Sequence, residues 1–170
     1  MKILITGASG SGTSTLGAAL AKAINARYVD ADDYYWLPTS PPFQEKWDGA
    51  ERLAALIEVL GAQPDTVLGG SIMEWGAELE NGFDLIVFLY LPADIRVARL
   101  TQRETARFGK VDPIFLSWAA QYDEGVRSGR SLARHQDWLS KRSCPVLRLE
   151  GDISVDERVR LVNAALADTI

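Results

Sequence analysis

The run Gly7-Ala8-Ser9-Gly10-Ser11-Gly12-Thr13-Ser14 has residue types and spacing suited to holding a phosphate chain. Its glycines let the backbone wrap so that successive N–H groups converge on one anion. The apolar run Ile3-Leu4-Ile5-Thr6 precedes it and the helix-prone run Leu16-Gly17-Ala18-Ala19-Leu20 follows. A helix that starts there adds partial positive charge. The pattern G-x-x-x-x-G-K-[ST] fits at every position but one. Thr13 stands where Lys normally reaches the β- and γ-phosphates, and Ser14 keeps the hydroxyl that normally ligates Mg²⁺. Gly7, Gly10, Ser11, Gly12, Thr13, Ser14 and Thr15 are the expected nucleotide-binding set, with Ser14 also a metal ligand. Phosphate binding follows from these residues, whereas phosphoryl transfer needs further groups.

Three other clusters offer such groups. Asp30-Ala31-Asp32-Asp33 follows a short apolar run. At a strand end facing a γ-phosphate, one carboxylate can hold Mg²⁺ and another can orient or deprotonate an acceptor hydroxyl. Asp30 and Asp32 lead Asp33 for these roles, although aspartates are also common in polar turns after strands. Gly69-Gly70-Ser71 allows backbone to approach a ligand closely, or simply turns a strand into a helix. Beyond Leu91-Pro92 stand Arg96, Arg99, Arg103 and Arg107. The last three share one face of a helix, suited to phosphate recognition and base stacking or to a solvated face partly neutralised by Glu104. Tyr34, Tyr35, Trp36, Phe43 and Trp47 lie among prolines. Such rings stack on a base or pack a core, and core is the expected fate of Trp47 and Trp75.

The elements that must position these groups read as alternating strands and helices. Strands are expected at 2–6, 27–30, 66–69, 84–91 and 145–149, and helices at 14–25, 49–60, 93–104, 112–123, 131–141 and 154–168. The last helix opens on an S-x-x-E capping box at Ser154 and Glu157. This alternation predicts a doubly wound α/β sheet, with ligands at the carboxyl ends of its strands. A single domain is expected over 1–170, with an acceptor flap at about 33–60 and a basic lid at about 101–134 carrying Arg103, Arg107, Lys110, Arg127, Arg130 and Arg134. Gly109 and Pro113 predict a mobile loop tip within the lid.

The bulk composition excludes several classes. The 170 residues are 47% hydrophobic and 24% charged, with a net charge of −5. That balance argues against nucleic-acid or anionic-membrane partners. No apolar run approaches the roughly 20 residues of a membrane span. Cys144 is the sole cysteine and His135 the sole histidine, so neither a disulfide framework nor a zinc site is expected. Cys144 reads as a buried inert thiol and His135 as a helix-surface residue. With the phosphate loop inside the first ten residues, neither a preceding domain nor a leader is expected. A monomer or homodimer in the cytoplasm is the expected setting.

Taken together, residues 7–15, Asp30-Ala31-Asp32, Gly69-Gly70, Leu91-Pro92 with Arg99-Leu100 and Arg103, and Glu150-Gly151-Asp152 resemble the small-molecule kinases of the nucleoside-monophosphate and shikimate kinase group. The resemblance covers most of the chain. It implies a P-loop three-layer αβα sandwich with a five-stranded parallel sheet ordered 2-3-1-4-5. It implies ATP and Mg²⁺ as cofactors, Asp30 near the metal and Asp32 on the acceptor hydroxyl. Arg99 would stack on adenine, Arg103 would contact phosphates, Arg107 would act from the lid, and Asp152 would lie along the adenine edge. Asp33, Tyr35, Trp36, Gly69 and Gly70 would then meet a small acceptor. Thr13 departs from the group, and the shikimate kinases' basic motif for their carboxylate is not recognisable. The leading reading is an ATP-dependent kinase of a nucleotide or nucleoside. The alternatives are a nucleotide-binding protein with little or no kinase activity, and a kinase of a small hydroxylated metabolite such as a sugar acid or shikimate.

Overall fold

The computed structural model describes residues 1–125 and 130–167. Arg127 and the expected helix end at Asp168 lie outside the described residues. The elements run β1 (Lys2–Gly7), α1 (Thr13–Ala23), β2 (Arg27–Asp30), α2 (Asp32–Tyr35), α3 (Gly49–Gly61), β3 (Thr66–Gly69), α4 (Ala77–Glu80), β4 (Leu85–Tyr90), α5 (Ala93–Phe108), α6 (Pro113–Ala120), α7 (Leu132–Ser140), β5 (Val146–Glu150) and α8 (Val155–Ala167). The strands form one sheet in the order β2-β3-β1-β4-β5, and every pairing is parallel.

Side-chain alternation splits the core into two layers. Leu4, Leu68, Ile86 and Phe88 face Leu56 and Leu60 of α3, Leu79 of α4 and Trp138 of α7. Ile3, Ile5, Val67, Val87 and Leu89 face Leu16 and Leu20 of α1 and Val162 of α8. The near-continuous apolar runs of β1 and β4 are therefore covered on both sides. This is a three-layer α/β/α sandwich.

Local chemistry sets the helix ends. Asp48 caps α3 by accepting from the Ala50 and Glu51 amides at 2.8 and 3.2 Å. Asp112 caps α6 from the Ile114 amide at 2.8 Å, and Pro113 opens that helix. Ser154 accepts from the Glu157 amide at 3.2 Å, but the Glu157 carboxylate turns to Arg160 instead of closing the box. α5 runs four residues past its expected end, to a left-handed Gly109 at φ 72°. Much of the expected lid is thus helix: the end of α5, all of α6 and the start of α7. The single-turn helices α2 and α4 are too short to show a periodicity in sequence.

A slot for Tyr28 ties α1 to the sheet. A Cβ on Gly17 would collide with the Tyr28 ring, and one on Gly69 would lie 2.7 Å from the Tyr28 hydroxyl. Helix propensity alone would make Gly17→Ala stabilising by about 1 kcal/mol. Overpacking against the ring costs about 1–3 kcal/mol and outweighs it. Thermal melts should place Gly17→Ala below the parent, while the same substitution in a Tyr28→Ala background should raise the midpoint. A rise in the parent background would contradict the slot.

Candidate functional site

The loop between β1 and α1 crosses the carboxyl edge of the sheet with its backbone in tight contact. A Cβ on Gly7 would stand 2.5 Å from the Leu89 carbonyl, and one on Gly10 would stand 2.7 Å from the Arg96 carbonyl. Gly10 and Gly12 take left-handed φ values of 84° and 96°. The Ser11 amide donates to the Ala8 carbonyl at 3.1 Å, and the Leu16 amide reaches the Gly12 carbonyl at 2.9 Å to start α1. Gly12 caps the helix without any side-chain bond, so no capping side chain covers the first-turn amides of Thr13, Ser14 and Thr15. Free amides at a helix start form an anion cradle.

Beside the cradle, Asp30 gathers three donors. Its Oδ2 accepts from Ser14 Oγ at 3.0 Å and from the Tyr28 hydroxyl at 2.9 Å, and its Oδ1 accepts from the Asp32 amide at 3.0 Å. Asp32 and Asp33 open α2 from this point. The Asp32 carboxyl is pushed up, first by the surrounding protein and then by the Asp30 charge, while Arg130 and Arg103 pull it back. Asp33 is pushed up by the same two causes in the same order.

The arginines of α5 line one face, as expected. Arg99 pairs with Asp152 beyond β5. Arg103 bonds Glu104 at 2.9 Å and bears electrostatically on Asp32. Arg107 lies 5.6 Å from the Phe43 ring and 5.0 Å from that of Phe108. This row runs from the β5 edge, past Asp32, to the flap. Arg96 departs from it. It is fully buried and bonds the Leu91 carbonyl, the Ala119 carbonyl and Asp123.

Flap rings pack largely on one another. Tyr35 stacks on Trp75 at 5.9 Å and meets Trp36 edge-on at 4.9 Å, and Trp36 meets Phe43 at 5.8 Å. Lys46 lies 5.0 Å from the Tyr35 ring, and the Arg52 guanidinium lies 4.5 Å from that of Trp75. Trp75 is a core residue, whereas Trp47 is half-buried. The close approach at Gly69 and Gly70 is made by Tyr28 and the Ala31 side chain.

Three groups at the site escaped the sequence reading. The Tyr28 hydroxyl holds Asp30. Arg130, in sequence only one of the lid cations, lines a small cavity together with Trp118, Tyr122, Ala8 and Ser9. Arg158 of α8 donates to the Ser11 carbonyl at 2.9 Å. Nothing in the sequence signalled an arginine on the buried face of α8.

His135 corrects an expectation. It is buried, not at the helix surface, because α7 turns His135, Trp138 and Leu139 inward together. Its ring meets the Tyr122 hydroxyl at 2.6 Å and Thr6 Oγ1 at 3.4 Å. Burial, and then Arg130, push its pKa down from 6.5 to about 3. Cys144 is half-buried, with its thiol pushed up by burial. Between pH 6.5 and about 3 the unfolded chain holds a His135 proton that the folded chain does not, so stability falls as pH drops through that window. The slope from this group is at most about 1.4 kcal/mol per pH unit. Denaturant melts should show a shallower loss from pH 6.5 to about 4.5 in His135→Gln than in the parent. Parallel slopes would contradict a neutral buried ring.

A five-stranded parallel sheet in this order, with a phosphate loop after β1 and acidic residues after β2, is the P-loop α/β/α fold that the small-molecule kinases of the nucleoside-monophosphate and shikimate kinase group share. The chain belongs to the AAA_18 family, described as an AAA domain, whose model matches residues 3–110. It is 43% identical over 167 residues to the uncharacterized protein YqaC of Bacillus subtilis, covering 92% of each chain. It is 31% identical over 109 residues to shikimate kinase 2 of Shigella flexneri, an alignment spanning 58% of this chain and 62% of that enzyme. Among solved structures, deoxyadenosine kinase from M. mycoides with bound dATP shares the fold, with a TM-score of 0.64, 15% identity, and coverage of 98% of this chain and 100% of that one.

Proposed function

We propose that the protein transfers the γ-phosphoryl group of ATP to a small acceptor. The observation that carries this reading is the contact of Ser14 with Asp30, 3.0 Å apart, between an open anion cradle and the Asp32 carboxyl. Backbone amides from Gly10 to Ser14 hold the phosphate chain, with Gly7, Ser11, Gly12, Thr13 and Thr15 shaping the loop. Arg99 and Asp152 meet the adenine side. Ser14 and Asp30 would hold Mg²⁺. Two adjacent oxygen donors fit a hard cation that keeps several waters and phosphate oxygens. When bound, Mg²⁺ neutralises charge on the phosphates. Asp32 orients the acceptor hydroxyl and takes its proton, and a carboxyl raised by its surroundings is the better base. Arg103 and Arg107 supply charge from α5.

The acceptor lies over Asp33, Tyr35, Trp36, Gly69 and Gly70. A nucleotide or nucleoside is the leading class, favoured by the aromatic flap and by the fold shared with deoxyadenosine kinase. A second reading, a small hydroxylated metabolite, is favoured by the mutual packing of the flap rings and by the shikimate kinase alignment.

A coupled ADP-release assay over nucleosides, nucleoside monophosphates, sugar acids and shikimate separates these classes. One class should raise ADP release at least about tenfold over the acceptor-free rate. With that acceptor, Asp32→Asn should lower turnover by about 10²–10⁴-fold while ATP affinity stays near that of the parent. ATP binding without acceptor-dependent ADP release from any member would instead identify a nucleotide-binding protein without transfer.

A further inference from the structure

α8 carries an arginine on its buried face. Arg158 is 2% exposed, and its hydrogen bonds go to backbone oxygens: Nη1 donates to the Ser11 carbonyl at 2.9 Å and Nη2 to the Gly151 carbonyl at 3.0 Å. Its Nε is buried with no hydrogen-bond partner among the described residues. A guanidinium held in this way is costly unless a negative charge offsets it. The nearby carboxylate, Asp152, is paired with Arg99. Arg99 also stands close: its Nη1 is 3.9 Å, and the Arg158 Nη1 3.2 Å, from where a Cβ on Gly12 would lie. Two guanidiniums thus flank Gly12, with only the Arg99 charge paired to a carboxylate, leaving surplus positive charge there before any ligand arrives. The next residue is Thr13, where the phosphate-loop pattern carries lysine.

We infer that Arg158 is the built-in cation of this phosphate loop, standing behind Gly12 in place of the lysine that Thr13 replaces. The inference rests on the reading that the loop binds the phosphates of ATP. Arg158 is a positioning residue. It reaches the ligand through the loop, by fixing the Ser11 carbonyl so that this oxygen cannot turn toward the anion, and by its charge. The α5 arginines differ in kind. Arg103 is exposed and shared with Glu104, so its charge at the loop depends on side-chain placement. Arg158 is held on two sides by the fold itself.

Calorimetry with ATP and with adenosine tests this on Arg158→Met, Arg158→Lys, Thr13→Lys and Arg158→Met/Thr13→Lys, each first checked for folding by circular dichroism and thermal melting. Arg158→Met should weaken ATP at least about tenfold while adenosine affinity changes less than about twofold. Arg158→Lys should recover most of that loss. Thr13→Lys should improve ATP affinity at least about tenfold more in the Arg158→Met background than in the parent, because there it restores a missing charge. If Arg158→Met does not fold, Arg158→Gln, which keeps length and a donor without the charge, takes its place under the same criteria. Unchanged ATP affinity, an equal loss for ATP and adenosine, or no added rescue by Thr13→Lys would each overturn the inference. A parent protein that fails to bind ATP would instead overturn the kinase reading, and the inference with it.

Discussion

The structure depends on main-chain contact between the phosphate loop and its neighbours. Gly7 lies against the Leu89 carbonyl and Gly10 against the Arg96 carbonyl, leaving no room for a side chain at either point. Gly7 is also the last residue of β1 in register with β4, opposite Leu89. The loop is therefore set directly on β4 and on the first turn of α5. That same turn carries Arg96, whose buried bonds to Leu91, Ala119 and Asp123 hold α5 against α6. Because α5 starts from a fixed point on the loop, the row of Arg99, Arg103 and Arg107 has a fixed bearing on the cradle.

Charge is distributed against the whole-chain balance. The net charge is −5, yet Arg99, Arg103, Arg130 and Arg158 all bear on the loop or on Asp32. The acidic residues after β2 lie beside the cradle, and Asp30 is drawn into bonds with Ser14 and Tyr28. Cations at the loop with carboxylates beside it are what a phosphoryl-transfer site would draw on, because positioning and electrostatics supply most of the acceleration in such reactions.

Much of this was legible from local pattern. All five strands were expected within two residues of where they lie, because each is a short apolar run and the runs of β1 and β4 are near-continuous. The loop was legible because glycine spacing and the hydroxyl at Ser14 are local signals. What escaped detection depends on contacts distant in sequence. Arg158 meets Ser11 across 147 residues, and His135 meets Thr6 across 129. The one-turn helices α2 and α4 fall below the length at which a 3.6-residue period can be read. Gly69 was expected either to let a ligand approach or simply to turn the strand into a helix, and the structure sets the Tyr28 ring against it. A strand-end glycine pair reads the same way in sequence whether a ligand or a side chain fills the space.

On the reading proposed here, this loop grips a phosphate chain by backbone amides and surrounding arginines, without a lysine at residue 13. Calorimetric titration of the parent protein with ATP, ADP, AMP and adenosine in the presence of Mg²⁺ tests it most directly. A loop of this kind should bind ATP and ADP at least about 100-fold more tightly than AMP or adenosine, since two or more charge-assisted bonds go to the outer phosphates. Affinities that do not rise with phosphate number would contradict it.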